Sequence, residues 1–485
     1  MEHNYDLLVK RLRDLPNETP WVEFKHNNYD PEMIGKDISA LANGATLSDR
    51  DYAYMIWGID DETHEVLGTA RNLQTIKKGN EDLEPWLRRM LSNNAVFMFM
   101  FKQIEIDGKS VGILSIQKAI KIPVTFQKVP YIRSGSQTKK LVDVVSLQEK
   151  LWAKLSQSKY ETLTAVSNLT LEDALQAIAY TKYFDLLGLT VPSGSEGIAH
   201  YLIEDSLLMK QDNGLYSLTN LAMLLFAKRL SDYPALRHRA IRVVAYEGIN
   251  RLNIKKNTPP FDEGYAVCLE NVIKYIDAFL PGREVIDTIR HKESAYPIAA
   301  IREALANACI HQELSISGAS ILVEIFSDRI EITNPGVPLI NVERILDNPP
   351  RSRNEVMSSL MRRMNMCEEL GSGWDRIILE CEFMQLPAPR ITVYEESTKV
   401  TFFEKINYSN LSEEDRLWSC YMHACIMYIQ SSALTNASLR ERFGIPISSS
   451  GSVSRLIKLA VERNLIKPLD SKTAPRYMKY IPFWA

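Results

Sequence analysis

The chain has 485 residues, of which 45% are hydrophobic and 24% are charged, and its formal net charge is −3 at pH 7. One hydrophobic core stops growing at about 250–300 residues, so this length requires several domains, and the composition is that of a globular protein. The nearly neutral charge excludes a general attraction to phosphate, so any surface that binds nucleic acid must be local.

Six cysteines form no CxxC pair and no close cluster with histidine, which argues against a zinc site and a disulfide framework. The first residues lack the apolar core of a signal peptide, and no run reaches the roughly 18 apolar residues that span a bilayer. We therefore expect a cytoplasmic protein with no membrane partner.

The first 145 residues predict an α+β domain. A short amphipathic helix over 1–14 precedes a strand over 21–25, and a second helix begins at Asp30-Pro31. Residues 52–59 are a nearly continuous apolar run, which predicts a central strand that ends in a turn at Asp60. Further strands are expected at 95–107, 110–117 and 130–133.

Acidic side chains and one lysine lie near the ends of the first two predicted strands. Glu23 and Lys25 are two residues apart, so both side chains lie on one face of their strand. Pro20 can turn the chain so that Glu18 lies beside Glu23, and Asp60 follows the neighbouring strand. Oxygen ligands with a lysine suit Mg²⁺ or Mn²⁺ and the metal-assisted cleavage of a phosphodiester. The alternative is a set of solvated carboxylates with one weak surface ion pair.

Four segments of this region occur in an order that is typical of one protein family. They are Glu18-x4-Glu23-Phe24-Lys25, Ile38-Ser39-Ala40-Leu41-Ala42-Asn43, Ile56-Trp57-Gly58-Ile59-Asp60-Asp61 with Gly68, and Tyr131-Ile132-Arg133-Ser134-Gly135-Ser136. Together they resemble the Schlafen-type AlbA-like domain over residues 15–140. The resemblance implies nucleic-acid contact, to which we assign Arg133.

The same resemblance bears on the acidic residues. In family members that cut RNA, the catalytic carboxylates match Glu18, Glu23 and Asp60, and Lys25 stands beside them. The family usually has a double glycine after its Ala-x-Asn, where this chain has Asn43-Gly44-Ala45. The resemblance therefore supports nucleic-acid contact more strongly than it supports cleavage.

Residues 146–289 predict a linker domain of helical and mixed structure. A mainly helical pattern over 145–230 is interrupted at Gly188 and at Pro192-Ser193-Gly194, and 239–247 predicts a strand.

A helix predicted over 297–311 carries a polar stripe, because Glu303, Asn307 and His311 are four residues apart and share one face. An acid at Glu303 could orient a water, and Asn307 could hold Mg²⁺ against phosphates. The alternative is a stripe that faces solvent. Two strands follow this helix, at 319–326 and 329–333.

Two further segments complete a second pattern. They are Asp328-Arg329-Ile330-Glu331-Ile332-Thr333-Asn334-Pro335-Gly336 and Glu369-Leu370-Gly371-Ser372-Gly373-Trp374-Asp375-Arg376-Ile377. With the polar helix they resemble the divergent GHKL-type ATPase domain, an α/β sandwich, over 290–405.

The GHKL resemblance assigns roles to these residues. Glu303 and Asn307 match the acid and the magnesium ligand, and His311 shares their face. Gly371 and Gly373, on either side of Ser372, match the glycines of the phosphate loop. Asn334 and Gly336 stand where an ordinary member has an aspartate that reads the adenine amino group. The resemblance thus implies that ATP binds, and it does not imply hydrolysis.

Residues 412–485 predict a winged helix-turn-helix. A short helix near 439–445, a polar turn over 448–451 and a longer helix over 453–463 have the spacing of such a motif. Arg455, Lys458 and Arg463 on the longer helix, with Arg476 in a basic wing, are the expected nucleic-acid contacts. The alternative role of this module is dimerisation or packing.

The sequence therefore predicts an α+β multidomain protein, and three functional hypotheses remain open. The first is a transcriptional regulator that binds DNA or RNA and senses ATP. The second is a metal-dependent ribonuclease or nuclease, acting in defence against foreign genetic elements. The third is an interaction scaffold with relic sites. A homo-oligomer is expected, with a dimer favoured.

Overall fold

The computed structural model describes residues 5–15, 19–91, 99–135, 137–157, 159–211, 214–257, 260–280, 282–286, 290–349, 351–368, 372–470, 472–474 and 477–485. Helices and several sheets alternate through these residues, which confirms the predicted α+β class. The chain divides into two compact units. Unit 1 comprises residues 1–174 and 194–220, and unit 2 comprises 175–193 and 221–485.

The helices and strands of the described residues are numbered in chain order. The helices are α1 (Tyr5–Arg13), α2 (Pro31–Leu47), α3 (Leu83–Met90), α4 (Val145–Gln157), α5 (Leu171–Ala177), α6 (Tyr180–Leu186), α7 (Ser195–Glu204), α8 (Asn220–Phe226), α9 (Tyr265–Phe279), α10 (Ile298–His311), α11 (Glu355–Arg363), α12 (Gly373–Phe383), α13 (Glu413–Ile429), α14 (Asn436–Arg442) and α15 (Ser450–Glu462). The strands are β1 (Val22–Lys25), β2 (Tyr52–Trp57), β3 (Lys77–Lys78), β4 (Glu81–Asp82), β5 (Phe99–Ile106), β6 (Lys109–Gln117), β7 (Thr125–Phe126), β8 (Val129–Ser134), β9 (Gln137–Lys140), β10 (Thr164–Leu169), β11 (Leu208–Lys210), β12 (Tyr216–Thr219), β13 (Arg242–Tyr246), β14 (Ile254–Asn257), β15 (Gly282–Ile286), β16 (Arg290–Ser294), β17 (Leu322–Ile325), β18 (Arg329–Pro335), β19 (Arg390–Val393), β20 (Ser397–Phe403), β21 (Ile466–Pro468) and β22 (Tyr480–Pro482).

Unit 1 is organised around a four-stranded sheet in the order β1-β2-β6-β5. β1 and β2 are parallel, whereas β6 is antiparallel to both of its neighbours. Successive side chains of a strand point to opposite faces, and both faces of β2 are covered. Met55 and Trp57 lie in the core that contains α2, while Ile56 lies in the core that contains α1. This double burial explains the continuous apolar run of the predicted central strand.

The motif residues of α2 have structural roles. Ser39 Oγ donates to the carbonyl of Val124 at 2.7 Å and accepts from the amide of Tyr131 at 2.9 Å. The Asn43 amide donates to the same two segments and accepts from the Val124 amide. These bonds attach the small β7-β8-β9 sheet to α2. A Cβ on Gly44 would lie 1.9 Å from the Pro20 carbonyl oxygen, so this position requires glycine.

Unit 2 contains a six-stranded sheet in the order β14-β13-β17-β18-β20-β19. β13 and β17 are parallel, and the remaining pairs are antiparallel. The helix α10 contacts both β18 of the sheet and the helix α12. Its apolar positions, such as Ile301 and Leu305, are fully buried, as is Ile332 on β18. A helical layer on a mixed sheet matches the expected sandwich.

The last helices of unit 2 share a core with α12. α13, α14 and α15 surround Cys420, Leu439 and Leu456, and this same cluster includes Ile378 of α12. The strands β21 and β22 then pair antiparallel. Three helices followed by a two-stranded sheet are compatible with a winged helix, which stays a prediction. No helix in the described ranges is both long and apolar enough to cross a membrane.

The region 145–230 is less helical than its sequence pattern indicates. A three-stranded sheet in the order β10-β12-β11 lies within it. These strands have three to six residues each, so they offer too few alternations for periodicity to distinguish them from helical segments.

Candidate functional site

A cavity of about 170 Å³ lies between α10 and the sheet of unit 2. A single buried water needs only about 10–15 Å³, so the cavity has room for a much larger ligand. Helix α10, strands β18, β19 and β20, the loop over residues 337–348, helix α11 and the start of α12 all contribute to its wall.

The polar stripe of α10 faces this cavity. Glu303, Asn307 and His311 all line it, as the four-residue spacing predicts for one helix face. Glu303 is only 6% exposed, and its two carboxylate oxygens accept from the Asn307 side-chain amide and the Glu368 backbone amide, each at 3.3 Å. Burial raises the pKa of Glu303 above its usual value.

Gly373 allows α12 to begin next to the buried carboxylate. A Cβ at this position would lie 2.3 Å from Glu303 Oε1, closer than any side chain can stand. The first amides of α12 therefore lie beside the cavity, where the positive end of the helix dipole favours an anion. Ser372 is exposed and precedes this helix as its N-cap residue, and Gly371 lies outside the described residues.

His311 at the end of α10 is uncharged at neutral pH. Burial, together with the neighbouring Arg353, lowers the pKa of His311 to about 4. Arg353 in turn donates to the His311 carbonyl at 3.1 Å and to Glu313 at 2.8 Å. These contacts attach the segment before α11 to the end of α10.

Asn334 lies near the end of β18 at the cavity, and Gly336 directly follows this strand. Asn334 lines the cavity, is 7% exposed and donates through its side-chain amide to the Pro335 carbonyl at 3.0 Å. Gly336 has a φ of 102°, a conformation that favours glycine. Its carbonyl accepts from Thr398 Oγ1 at 2.7 Å, which fixes the turn against β20.

The cavity also contains arginines that sequence reasoning missed. Arg351, Arg353 and Arg362 line it. Arg353 pairs with Glu313, whereas neither Arg351 nor Arg362 makes an ion pair with any described residue. The basic Arg351-Ser352-Arg353 stretch was the available signal, but nothing in it indicates the distant stripe of α10.

The lining residues fit a nucleotide with a divalent cation. The Asn307 side-chain nitrogen is directed at Glu303, which leaves its amide oxygen as a ligand for Mg²⁺ or Mn²⁺. Two guanidinium groups and the start of α12 supply the donors that phosphates require. Apolar groups such as Leu339 and Ile391 complete the wall and suit a base.

In unit 1 the structure brings Glu23, Lys25 and Arg133 together. Glu23 is 3% exposed, and its carboxylate forms ion pairs with both Lys25 Nζ and Arg133. Arg133 is 5% exposed, so it lies inside the domain rather than on its surface. Its expected contact with nucleic acid stays a prediction.

Asp60 lies beyond the end of β2, in a turn whose backbone amides bind its side chain. Its Oδ1 accepts from the amides of Thr63 at 2.8 Å and Glu62 at 3.1 Å. Hydrogen bonds from the Thr63 amide and hydroxyl lower the pKa of Asp60. Glu18 lies outside the described residues, and among those described no three acidic, histidine or cysteine side chains form a metal cluster. The predicted metal site of unit 1 therefore stays a prediction.

The basic residues of α15 are exposed. Lys458 lies 3.8 Å from Glu462, and Arg463 lies 3.5 Å from Glu413. Arg455 is exposed and makes no ion pair with a described residue. Arg476 lies outside the described residues. The role of Arg455, Lys458, Arg463 and Arg476 in nucleic-acid contact stays a prediction.

Comparisons with known proteins match two parts of the chain. Among solved structures, the chain is similar to the crystal structure of the DIP2311 protein from Corynebacterium diphtheriae, at 17% identity and a TM-score of 0.43, over 99% of this chain and 96% of that one. No curated protein matches the chain. Residues 18–142 match the family described as "Schlafen, AlbA_2", and residues 318–402 match the one described as "Putative ATP-dependent DNA helicase recG C-terminal". The two matches confirm the Schlafen-type AlbA-like and divergent ATPase-domain resemblances read from the motifs.

Proposed function

We infer that the chain is a nucleic-acid-binding regulator of transcription whose activity depends on a nucleotide held in the cavity of unit 2. The two family matches support the pairing of these properties, since one is of the Schlafen AlbA type and the other is named for an ATP-dependent DNA helicase. The exposed cations of α15 offer one surface for DNA or RNA.

One observation carries the nucleotide half of this proposal. The cavity is lined both by the Glu303–Asn307 pair and by two arginines, Arg351 and Arg362, that have no carboxylate partner among the described residues. Arg351 is exposed and Arg362 is half-buried, and a guanidinium without a carboxylate partner at a cavity wall is available to bind phosphate oxygens. A phosphate ligand bound with a divalent cation pairs its phosphate oxygens with these arginines and its cation with the Asn307 amide oxygen.

The chain's own residues have distinct tasks in this proposal. Asn307 offers its amide oxygen to Mg²⁺, Arg351 and Arg362 bind phosphate oxygens, and the first amides of α12 bind the same group. Glu303 fixes the Asn307 side chain. Asn334, which also lines the cavity, is assigned to the base. Binding and positioning, rather than hydrolysis, are the expected outcome.

The test is the thermal midpoint of the full chain with and without ATP and Mg²⁺. At a hundredfold excess of ligand over its dissociation constant, binding should stabilise the protein by about 2.7 kcal/mol. Asn307→Ala and Arg362→Ala should remove this gain. The exposed Arg237 lies outside the cavity lining, so Arg237→Ala is the matched control and should keep it. An unshifted midpoint of the unmodified protein at millimolar ATP contradicts the proposal.

Metal-dependent cleavage of nucleic acid is the second candidate function. The observation in its favour is the parallel pairing of β1 and β2, which brings Lys25 and the chain leading to Asp60 to one edge of the sheet. Against it, both carboxylate oxygens of Glu23 already face cations.

This candidate requires cutting of tRNA, single-stranded DNA or duplex DNA by the purified protein with Mg²⁺ or Mn²⁺. Glu23→Gln and Asp60→Asn should each abolish the cutting, and the exposed neighbour Glu62→Gln should not. The double variant should be no worse than either single one, because residues that act as a unit are not additive. Intact substrates of all three classes exclude this function.

A further inference from the structure

We propose that the C-terminal helices α13–α15 regulate the cavity of unit 2, through two elements that touch both. This inference rests on the proposed function, since it concerns the affinity of the same nucleotide site. The first element is the loop over residues 337–348, here called the pocket loop, and the second is α12.

The pocket loop has two faces with different neighbours. Val342, Ile345 and Asn348 line the cavity. Between them, Arg344 and Leu346 face the C-terminal module: the Arg344 guanidinium lies 5.4 Å above the Trp484 ring, and Leu346 packs against the core of α13–α15. Any movement of the cavity wall at this loop therefore changes contacts with the C-terminal helices.

A short hydrogen-bonded chain holds the pocket loop on α13. The Tyr421 hydroxyl donates to the Glu343 carbonyl and accepts from Trp484 Nε1 at 3.0 Å. Tyr421 is almost fully buried, and its ring stacks on Phe483 at 6.0 Å between centroids. One hydroxyl thus connects the cavity wall, the helix α13 and the β22 end of the chain.

Helix α12 is the second connection. Gly373 and Trp374 at its start line the cavity, and Ile378 in its middle belongs to the C-terminal core. At its end, Glu382 lies 2.9 Å from His423 of α13 and 3.1 Å from Arg442 of α14. All three side chains are nearly buried, so water cannot replace these ion-pair contacts if α12 moves. A shift of α12 toward a ligand therefore moves α13 and α14 as well.

A ligand that repositions the loop or the start of α12 must alter the packing of α13 and α14. By thermodynamic linkage, anything that stabilises one arrangement of the C-terminal helices must then change the affinity for the nucleotide by the same factor. The two sites are coupled because packed cores adopt discrete arrangements rather than deforming continuously.

The experiment measures ATP–Mg²⁺ affinity of the full chain by titration calorimetry, with hydrogen exchange of residues 413–429 as a second readout. Tyr421→Phe removes only the bridging hydroxyl and is the decisive variant. Arg344→Ala removes the guanidinium from the Trp484 ring, together with its ion pair with Asp347 inside the pocket loop. Each should change the dissociation constant by at least about threefold, a value below the usual range for coupled sites. The matched control Tyr477→Phe changes an exposed tyrosine of the same module and should leave the affinity unchanged.

The outcomes separate the two proposals. ATP should also slow exchange in residues 413–429 of the unmodified protein, because α13 is held by the pocket loop. If ATP binds all variants equally and exchange in α13 does not respond, the coupling is overturned and the nucleotide site stands. If the unmodified protein binds no ATP at all, both proposals fall together.

Discussion

Burial sets the charge of the polar side chains on α10. His311 has an unfolded-state pKa of about 6.5 and a folded-state pKa of about 4. Below pH 6.5 the His311 imidazole is protonated in the unfolded chain but stays neutral in the folded chain. This residue therefore lowers the free energy of unfolding as the pH falls from 6.5 toward 4. Above pH 6.5 both states are neutral at this position, and the effect vanishes.

His311→Asn should remove this pH dependence. Relative to the unmodified protein, the variant should gain about 2 kcal/mol in the free energy of unfolding between pH 7 and pH 5. Urea unfolding at the two pH values measures the difference. His238→Asn changes an exposed histidine and serves as control. A parallel loss of stability in both variants would mean that His311 titrates normally in the folded protein.

Gly373 leaves no room for a side chain beside Glu303. Gly373→Ala places a methyl group 2.3 Å from Glu303 Oε1, so either α12 or the carboxylate must move. Such overpacking costs about 1–3 kcal/mol, and the altered Glu303–Asn307 pair should also weaken ATP binding. Gly451→Ala is the matched control, because that helical glycine has open space around it and alanine should be neutral or stabilising there. Unchanged stability and affinity in Gly373→Ala would refute the packing described.

At the scale of elements, long periodic segments could be predicted and short ones could not. The predicted bounds of β2 and α10 agree with the structure to within a few residues, because a continuous apolar run and a four-residue polar spacing are strong signals. The sequence pattern does not predict β10, β11 and β12, since strands of a few residues lack a period. The sequence does not predict that arginines line the cavity. Arg362 belongs to α11, and no pattern in the sequence of α11 indicates that this helix packs near α10. Only tertiary packing brings them together.

The triad of Glu382, His423 and Arg442 also had no sequence signal, and it joins three helices. Glu382→Ala would leave the Arg442 guanidinium buried without its carboxylate, which typically costs about 3–5 kcal/mol. Glu380→Ala lies on the same helix, makes no ion pair with a described residue, and should cost far less. Chemical unfolding compares the two variants. An equal loss in the free energy of unfolding of the two variants would show that the Glu382 ion pairs do not hold the end of α12 against α13 and α14.

At the scale of the whole molecule, the C-terminal module is part of unit 2 rather than an appendage. Ile378 and Ala388 lie in one core with α13–α15, so cutting the chain at residue 405 would expose that core. Substitution is therefore the better way to examine nucleic-acid contact. Charge reversal at Arg455 removes a surface cation and leaves this core intact.

The most direct test of the account is the affinity of the full chain for labelled duplex DNA and tRNA, measured by fluorescence anisotropy with and without saturating ATP and Mg²⁺. A nucleotide-responsive regulator should bind at least one of these with an affinity that falls as salt rises, and ATP should change that affinity by roughly fivefold or more. Arg455→Glu should weaken the binding. Nucleic-acid affinity that is identical with and without bound ATP, or no binding of either nucleic acid, would contradict the account.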